Sequence, residues 1–117
     1  MKILVPTKRV PSSDERVRIR PDGSGIEDAG LAYMINPFDA IALEEAIHIR
    51  EQRGSDVEVI AVGVGNADFE NELHTALAMG ADRAVRIDFD GSLDPWSVAT
   101  VLAAVAQREK PNLVLMG

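Results

Sequence analysis

Apolar and polar positions along this chain follow two periods in turn. Ile3, Leu4 and Val5 form a short continuous apolar run that Pro6 ends, the pattern of a strand buried within a parallel sheet. Residues 16–20 then alternate strictly, Arg16, Val17, Arg18, Ile19, Arg20, ahead of the turn residues Pro21, Asp22, Gly23, Ser24 and Gly25. This predicts a hairpin arm with one wet face, its return strand around Ile26 and Glu27. At Asn36-Pro37-Phe38-Asp39 the period becomes helical: Asn36 can cap the free amides, Pro37 suits the first helical position, and Asp39 opposes the positive end of the dipole. The helix is expected to run to about Arg53 and stop at Gly54. Phe38, Ile41, Ala42, Ala46 and Ile49 would face the core, with Glu44, Glu45, His48, Glu51 and Gln52 in solvent. Glu44 and His48, one turn apart, read as a surface pair.

The remainder repeats the alternation. Val57 to Val64 reads as a second buried strand, about Ala67 to Met79 as a helix ended by Gly80, and Ala84 to Ile87 as a third strand. Asp94-Pro95-Trp96 repeats the cap-and-proline signature of a helix start, and that helix is expected to reach about Lys110 before Pro111. It is apolar almost all round (Ala99, Val101, Leu102, Val105, Ala106), as if neighbours covered most of it. Leu113 to Met116 is a fourth strand. Such a chain builds a single α/β domain over residues 1–117, a parallel sheet with helices on both faces and right-handed crossovers. The expected strand order is 3-2-1-4. Ligands of such sheets bind beyond the carboxyl ends of the strands where the order reverses, here between the first and last strands. The loops after Val5 and after Met116 would build the site.

Composition narrows the function classes. A formal charge of −7 argues against general nucleic-acid binding, yet Lys2, Lys8, Arg9, Arg16, Arg18 and Arg20, half of the 12 basic residues, fall within the first 20 positions. That cluster reads either as a charged, solvated edge or as a surface where Lys8 and Arg9 meet an anionic ligand or a partner subunit. With no cysteine there is no disulfide, thiolate metal site or redox thiol. The longest apolar runs are too short to cross a bilayer, and the N-terminus lacks the stretch of a secretory signal, so a cytoplasmic address is expected.

No catalytic set or metal motif assembles from the residue types. His48 and His74 occupy helical positions, while Ser12, Ser13, Ser24, Ser55, Ser92 and Ser97 lie near turns or caps. Gly63-Val64-Gly65-Asn66 joins a strand to a helix, so it is either a structural turn or a place where amides approach a nucleotide; Asp68 stands where a dinucleotide fingerprint needs its last glycine. Met79-Gly80-Ala81-Asp82 reads as a helix stop and strand entry. Phe38 is either core or a wall for a flat ring.

Four segments in order, Lys8-Arg9-Val10-Pro11, Val17 to Gly25, Ile35 to Ala46, and Thr75 to Ala84, resemble the N-terminal half of the β subunit of electron transfer flavoprotein, and the resemblance extends from Met1 to Gly117. It implies a Rossmann-like, adenine-nucleotide-binding fold and an electron carrier without catalytic residues of its own. The implied assembly is a heterodimer with an α subunit that carries most of the FAD, passing electrons from acyl-CoA and related flavin dehydrogenases to a membrane quinone oxidoreductase. This chain would hold a structural AMP. Matched by motif, the AMP contacts are Pro6, Asn36, Pro37, Phe38, Asp39 and Val64, and Phe38 corresponds to an aromatic that approaches the partner's flavin. Ser13 departs from relatives that place a tyrosine there. The resemblance also puts the phosphate-wrapping loop, the dehydrogenase-recognition loop and a C-terminal arm beyond Gly117, so weak AMP binding or none is expected of these residues alone. Two alternatives stay open: a β-type subunit of a flavin-bifurcating or nitrogen-fixation-linked complex, with FAD in place of AMP, and a small stress-type nucleotide-binding protein.

Overall fold

The computed structural model describes residues 1–54 and 56–117; Ser55 lies outside the described residues. Its elements are β1 (Lys2–Pro6), β2 (Arg9–Pro11), β3 (Tyr33–Ile35), α1 (Pro37–Arg53), β4 (Glu58–Gly65), a 3-10 turn (Ala67–Phe69), α2 (Glu70–Met79), β5 (Arg83–Asp88), α3 (Pro95–Glu109) and β6 (Leu113–Val114). β1, β4, β5 and β6 form one parallel sheet in the order β5-β4-β1-β6, which is the expected 3-2-1-4.

Side chains alternate across this sheet. Ile3, Val5, Val59 and Ala61 point to the face covered by α1 and α2, where Leu43, Ala46, Phe69, Leu73 and Ala76 complete the main core. Leu4, Ile60 and Val62 point the other way, against Leu102, Val105 and Ala106 of α3. Each fully buried aliphatic side chain contributes about 1.5–3 kcal/mol.

Several expectations are corrected here. In α1 Ala42, Leu43 and Ala46 are buried in the core and Ile49 packs partly buried against it, whereas Phe38 (68% exposed) and Ile41 (62%) point outward. Positions 41–43 are all apolar, so the stripe was ambiguous by one residue, and the sheet selects Leu43. Asn36 does not cap α1 with its side chain. His48 pairs with Glu45 at 3.8 Å and Gln52 at 3.0 Å, not with Glu44. α3 starts as expected, with the Asp94 carboxylate taking the Ser97 amide at 2.7 Å, a bond that lowers the pKa of Asp94. None of its residues is fully buried, however, because only one side of α3 meets the sheet; Trp96 is 81% exposed.

The arm is also built differently. Ile19 and Ile26 meet in a single antiparallel bridge, flanked by Arg20 N–H to Gly25 O and Glu27 N–H to Arg18 O, both 2.8 Å. Its base is closed by the unpredicted antiparallel pair of β2 and β3. Arg9 secures this pair to α2: its guanidinium lies 3.6 Å from the Tyr33 ring centroid, and its Nε donates to buried Glu72 Oε2 at 3.1 Å.

At the amino ends of the strands, Arg83 bridges Glu109 (2.5 Å) and Glu58 (2.7 Å), with Lys2 beside both carboxylates. The Glu109 hydrogen bond, then that of Glu58, raises the Arg83 pKa; Arg83 in turn holds Glu109 below the usual carboxylate range.

Candidate functional site

The switch point of the sheet lies beyond the carboxyl end of β1, where both neighbouring strands part from it. On one side the last rung of the β1–β4 ladder is Thr7 N–H to Val62 O at 2.7 Å, and the buried Thr7 hydroxyl donates to the same carbonyl at 3.3 Å. Backbone groups alternate in direction along a strand, so those of Val64 point to the β1 side as those of Val62 do. The next rung would join Val64 N–H to Thr7 O, and it is not made; Val64 N–H and C=O have no hydrogen-bond partner among the described residues. On the other side the last rung is Leu115 N–H to Leu4 O at 3.0 Å, and the next, from Gly117 to Pro6 O, is also missing. The crevice therefore presents the free N–H and C=O of Val64 together with the free carbonyls of Pro6 and Thr7.

The start of α1 is tied to the rim of this crevice by a reciprocal pair of bonds. Asn36 N–H donates to Lys8 O at 2.8 Å, and Lys8 N–H donates to Asp39 Oδ2 at 2.8 Å. Asp39 is 7% exposed, and the Lys8 amide together with the positive end of α1 compensates its burial. Gly117 passes directly over this helix start: a Cβ there would collide with the carbonyl carbon of Phe38 and the amide of Asp39. Phe38, Ile41, Ala42, Glu45, Leu115, Met116 and Gly117 line an adjoining open groove of about 320 Å³. A larger groove, about 660 Å³, runs along the outer side of α1 past Glu44, Glu45, His48, Glu51 and Met79, away from the strand ends.

Of the six expected site residues, Asn36, Pro37, Phe38 and Asp39 sit together at the α1 start, next to the loop that follows Pro6. Pro6 and Val64 supply backbone groups at the strand ends, where their ladders stop. Thr7 and Gly117 went unnoticed in the sequence; a chain crossing so close to a helix start signals itself only through a lone glycine.

Two sequence features resolve as structural. The glycines of Gly63-Val64-Gly65-Asn66 make room for the Phe69 ring: a Cβ at Gly63 would stand 1.9 Å from its Cε1, and one at Gly65 would stand 3.3 Å from the ring. Asn66 caps the following turn, taking the Asp68 amide at 3.2 Å. Arg9 is held by Glu72 and Tyr33 within the chain. Lys8 remains exposed, with no carboxylate within 4 Å among the described residues. Among those residues no cluster of ligating side chains could hold a metal ion, and no helix is long and apolar enough to cross a membrane.

Comparison with known proteins places this geometry. A solved structure, protein Rv1636 from Mycobacterium tuberculosis H37Rv, superposes with a TM-score of 0.54 over 99% of this chain and 69% of that one, at 17% identity, and so shares the fold. The chain is 44% identical over 117 residues to the electron transfer flavoprotein subunit beta of Bradyrhizobium diazoefficiens, 49% over 121 residues to the mitochondrial one of Oryza sativa subsp. japonica, and 40% over 121 residues to that of Homo sapiens. Each match covers 100% of this chain and 47% of the relative, so the chain spans about half the length of the curated relatives it matches. The electron transfer flavoprotein domain model matches residues 24–117, and the chain belongs to that family.

Proposed function

We propose that this chain is the nucleotide-holding part of an electron transfer flavoprotein β-type subunit, with a structural AMP in the crevice beyond β1. The observation that carries the reading is the free N–H and C=O of Val64, aimed together into the gap where β1 stops. An adenine edge presents a ring-nitrogen acceptor beside an amino donor, which one residue's backbone N–H and C=O complement; guanine in the same pose presents the reverse, a carbonyl against the Val64 C=O and an N–H against its N–H. Pro6 and the helix start from Asn36 to Asp39 would flank the nucleotide, and the exposed Phe38 ring is free to lie against a flat partner group.

In this reading the chain pairs with an FAD-carrying α subunit, Phe38 meeting its flavin. The heterodimer, in the cytoplasm, carries electrons from acyl-CoA and related dehydrogenases to a membrane quinone oxidoreductase. The flavin supplies the redox chemistry. This chain's residues bind and orient, and none is asked to act as acid, base or nucleophile.

The test is the nucleotide content of the full-length subunit purified with its α partner. One FAD and one AMP per heterodimer support the reading. Two FAD per heterodimer replace it with the flavin-bifurcating alternative, and absence of any adenylate in this subunit contradicts it.

A further inference from the structure

The tripeptide Asp-Gly-Ser occurs twice, at Asp22-Gly23-Ser24 and at Asp90-Gly91-Ser92, and the fold treats the two copies in opposite ways. At the tip of the arm every reactive group is engaged. Asp22 Oδ1 accepts the Ser24 amide at 3.0 Å and the Ser24 hydroxyl at 2.7 Å, and the Gly23 N–H donates to Arg20 O at 2.9 Å. The bonds from Ser24 also hold the Asp22 carboxyl below the usual carboxylate range. The second copy lies in the connection from β5 to α3, between the bond of Phe89 N–H to Gly65 O (3.3 Å) and the Asp94 cap of α3. Among the described residues, the Asp90 carboxylate there has neither a donor nor a cation, and the Gly91 N–H has no acceptor. Both residues are exposed. In each copy the glycine has no side chain to shield its nitrogen, so bonding alone separates the two.

We infer that Asp90-Gly91 is a site of succinimide formation and isoaspartate accumulation, while Asp22-Gly23 is protected by its turn. The Gly91 amide nitrogen attacks Cγ of the protonated Asp90 carboxyl. An N–Cγ bond forms, the amide hydrogen and the carboxyl hydroxyl depart together as water, and a five-membered imide closes. One water then returns. Opening the imide at Cγ restores aspartate, whereas opening it at the Asp90 carbonyl carbon leaves the main chain running through Cγ as isoaspartate. Atoms balance with water as the only co-reactant, and nothing is oxidised or reduced. The same attack at Asp22 must first break the Gly23 bond to Arg20 and both bonds from Ser24, and it needs a proton on a carboxyl that those bonds keep ionised. Having to lose even one such bond slows a reaction by about tenfold. The product adds one carbon to the main chain between β5 and α3, at the carboxyl end of the sheet, and belongs to the substrate class of methyltransferases that repair isoaspartyl residues.

The test holds the full-length subunit, in its complex with the α partner, at physiological temperature and mildly acidic pH and samples it over weeks. Isoaspartate is counted by methyl transfer from labelled S-adenosylmethionine with an isoaspartyl methyltransferase and located by peptide mapping. Peptides containing Asp90 should accumulate it at least about tenfold faster than peptides containing Asp22. The same protein kept unfolded in urea should lose that ratio, because the two tripeptides are identical once their bonds are gone. In Asp90→Glu, where closure would need a strained six-membered imide, the main site should vanish and only the slow rise at Asp22 should remain. Comparable rates at the two sites of the folded complex, a faster reaction at Asp22, no isoaspartate at Asp90, or a ratio that survives unfolding would each overturn the inference.

Discussion

Replacing Gly63 with alanine tests whether the glycines at the end of β4 exist for the protein's own Phe69. The added methyl would stand 1.9 Å from Cε1 of the phenyl ring, which is 4% exposed and part of the main core. Ring and methyl cannot coexist, so either the ring leaves the core or the strand moves. Complete loss of a buried phenyl costs about 3–5 kcal/mol, and overpacking that neighbours partly absorb costs about 1–3 kcal/mol. Gly63→Ala should therefore destabilise by about 2–4 kcal/mol, a large part of the roughly 5–15 kcal/mol a domain possesses. In urea unfolding, with a slope of about 1–3 kcal/mol per molar, the midpoint should fall by about 1–2 M. Gly65→Ala, whose methyl would stand 3.3 Å from the ring, should cost under about 1 kcal/mol. The sharper control is the double variant. Phe69→Ala alone opens a cavity, and the Gly63→Ala methyl then enters vacated space, so the double variant should be no less stable than Phe69→Ala by itself. A negligible midpoint shift in Gly63→Ala, or simple additivity with Phe69→Ala, would refute this reasoning.

The face of α1 is checked by three alanine substitutions: Leu43→Ala, at a fully buried position, should cost about 2–5 kcal/mol, and Phe38→Ala and Ile41→Ala, at exposed ones, under about 0.5 kcal/mol each in denaturant melts. Glu109 is held below the carboxylate reference value of 4.5 by Arg83, so its contribution is fully present above that pH and is lost as pH falls through the folded-state value. Arg83 is 41% exposed and the pair is screened, so Glu109→Gln should lower stability by about 0.5–1 kcal/mol at pH 7, and the gap from wild type should close in melts taken progressively below pH 4.5. A gap that is unchanged at acid pH would contradict this role for Arg83.

The sheet was legible because its information is local. Each strand of the sheet is a run such as Ile3 to Val5, α1 and α3 begin with proline at Pro37 and Pro95, and a right-handed crossover leaves few ways to order four parallel strands. The pairing of β2 with β3 was not legible, since Arg9–Pro11 and Tyr33–Ile35 are three residues each and meet across the whole arm. The exposed side of α1 was misjudged at Phe38 and Ile41 for a related reason: with Ile41, Ala42 and Leu43 all apolar, only contact with the sheet decides which turn inward. At the site, the residue types at the α1 start were visible, but the role of Asp39 was not. Its bond to Lys8 joins positions 31 residues apart. The key groups at Val64 are backbone atoms, which every residue has. Only the premature end of β1 leaves them free.

The central claim is that this strand end reads an adenine through the Val64 backbone. Its most direct test is Val64→Pro in the full-length subunit with its α partner, followed by chromatography of the released nucleotides. Proline deletes an N–H that no ladder bond uses, so the fold should persist by circular dichroism, while AMP, expected at one per complex in the wild type under the proposed function, should fall to a small fraction of that. A folded Val64→Pro complex that keeps AMP at full stoichiometry would contradict the account.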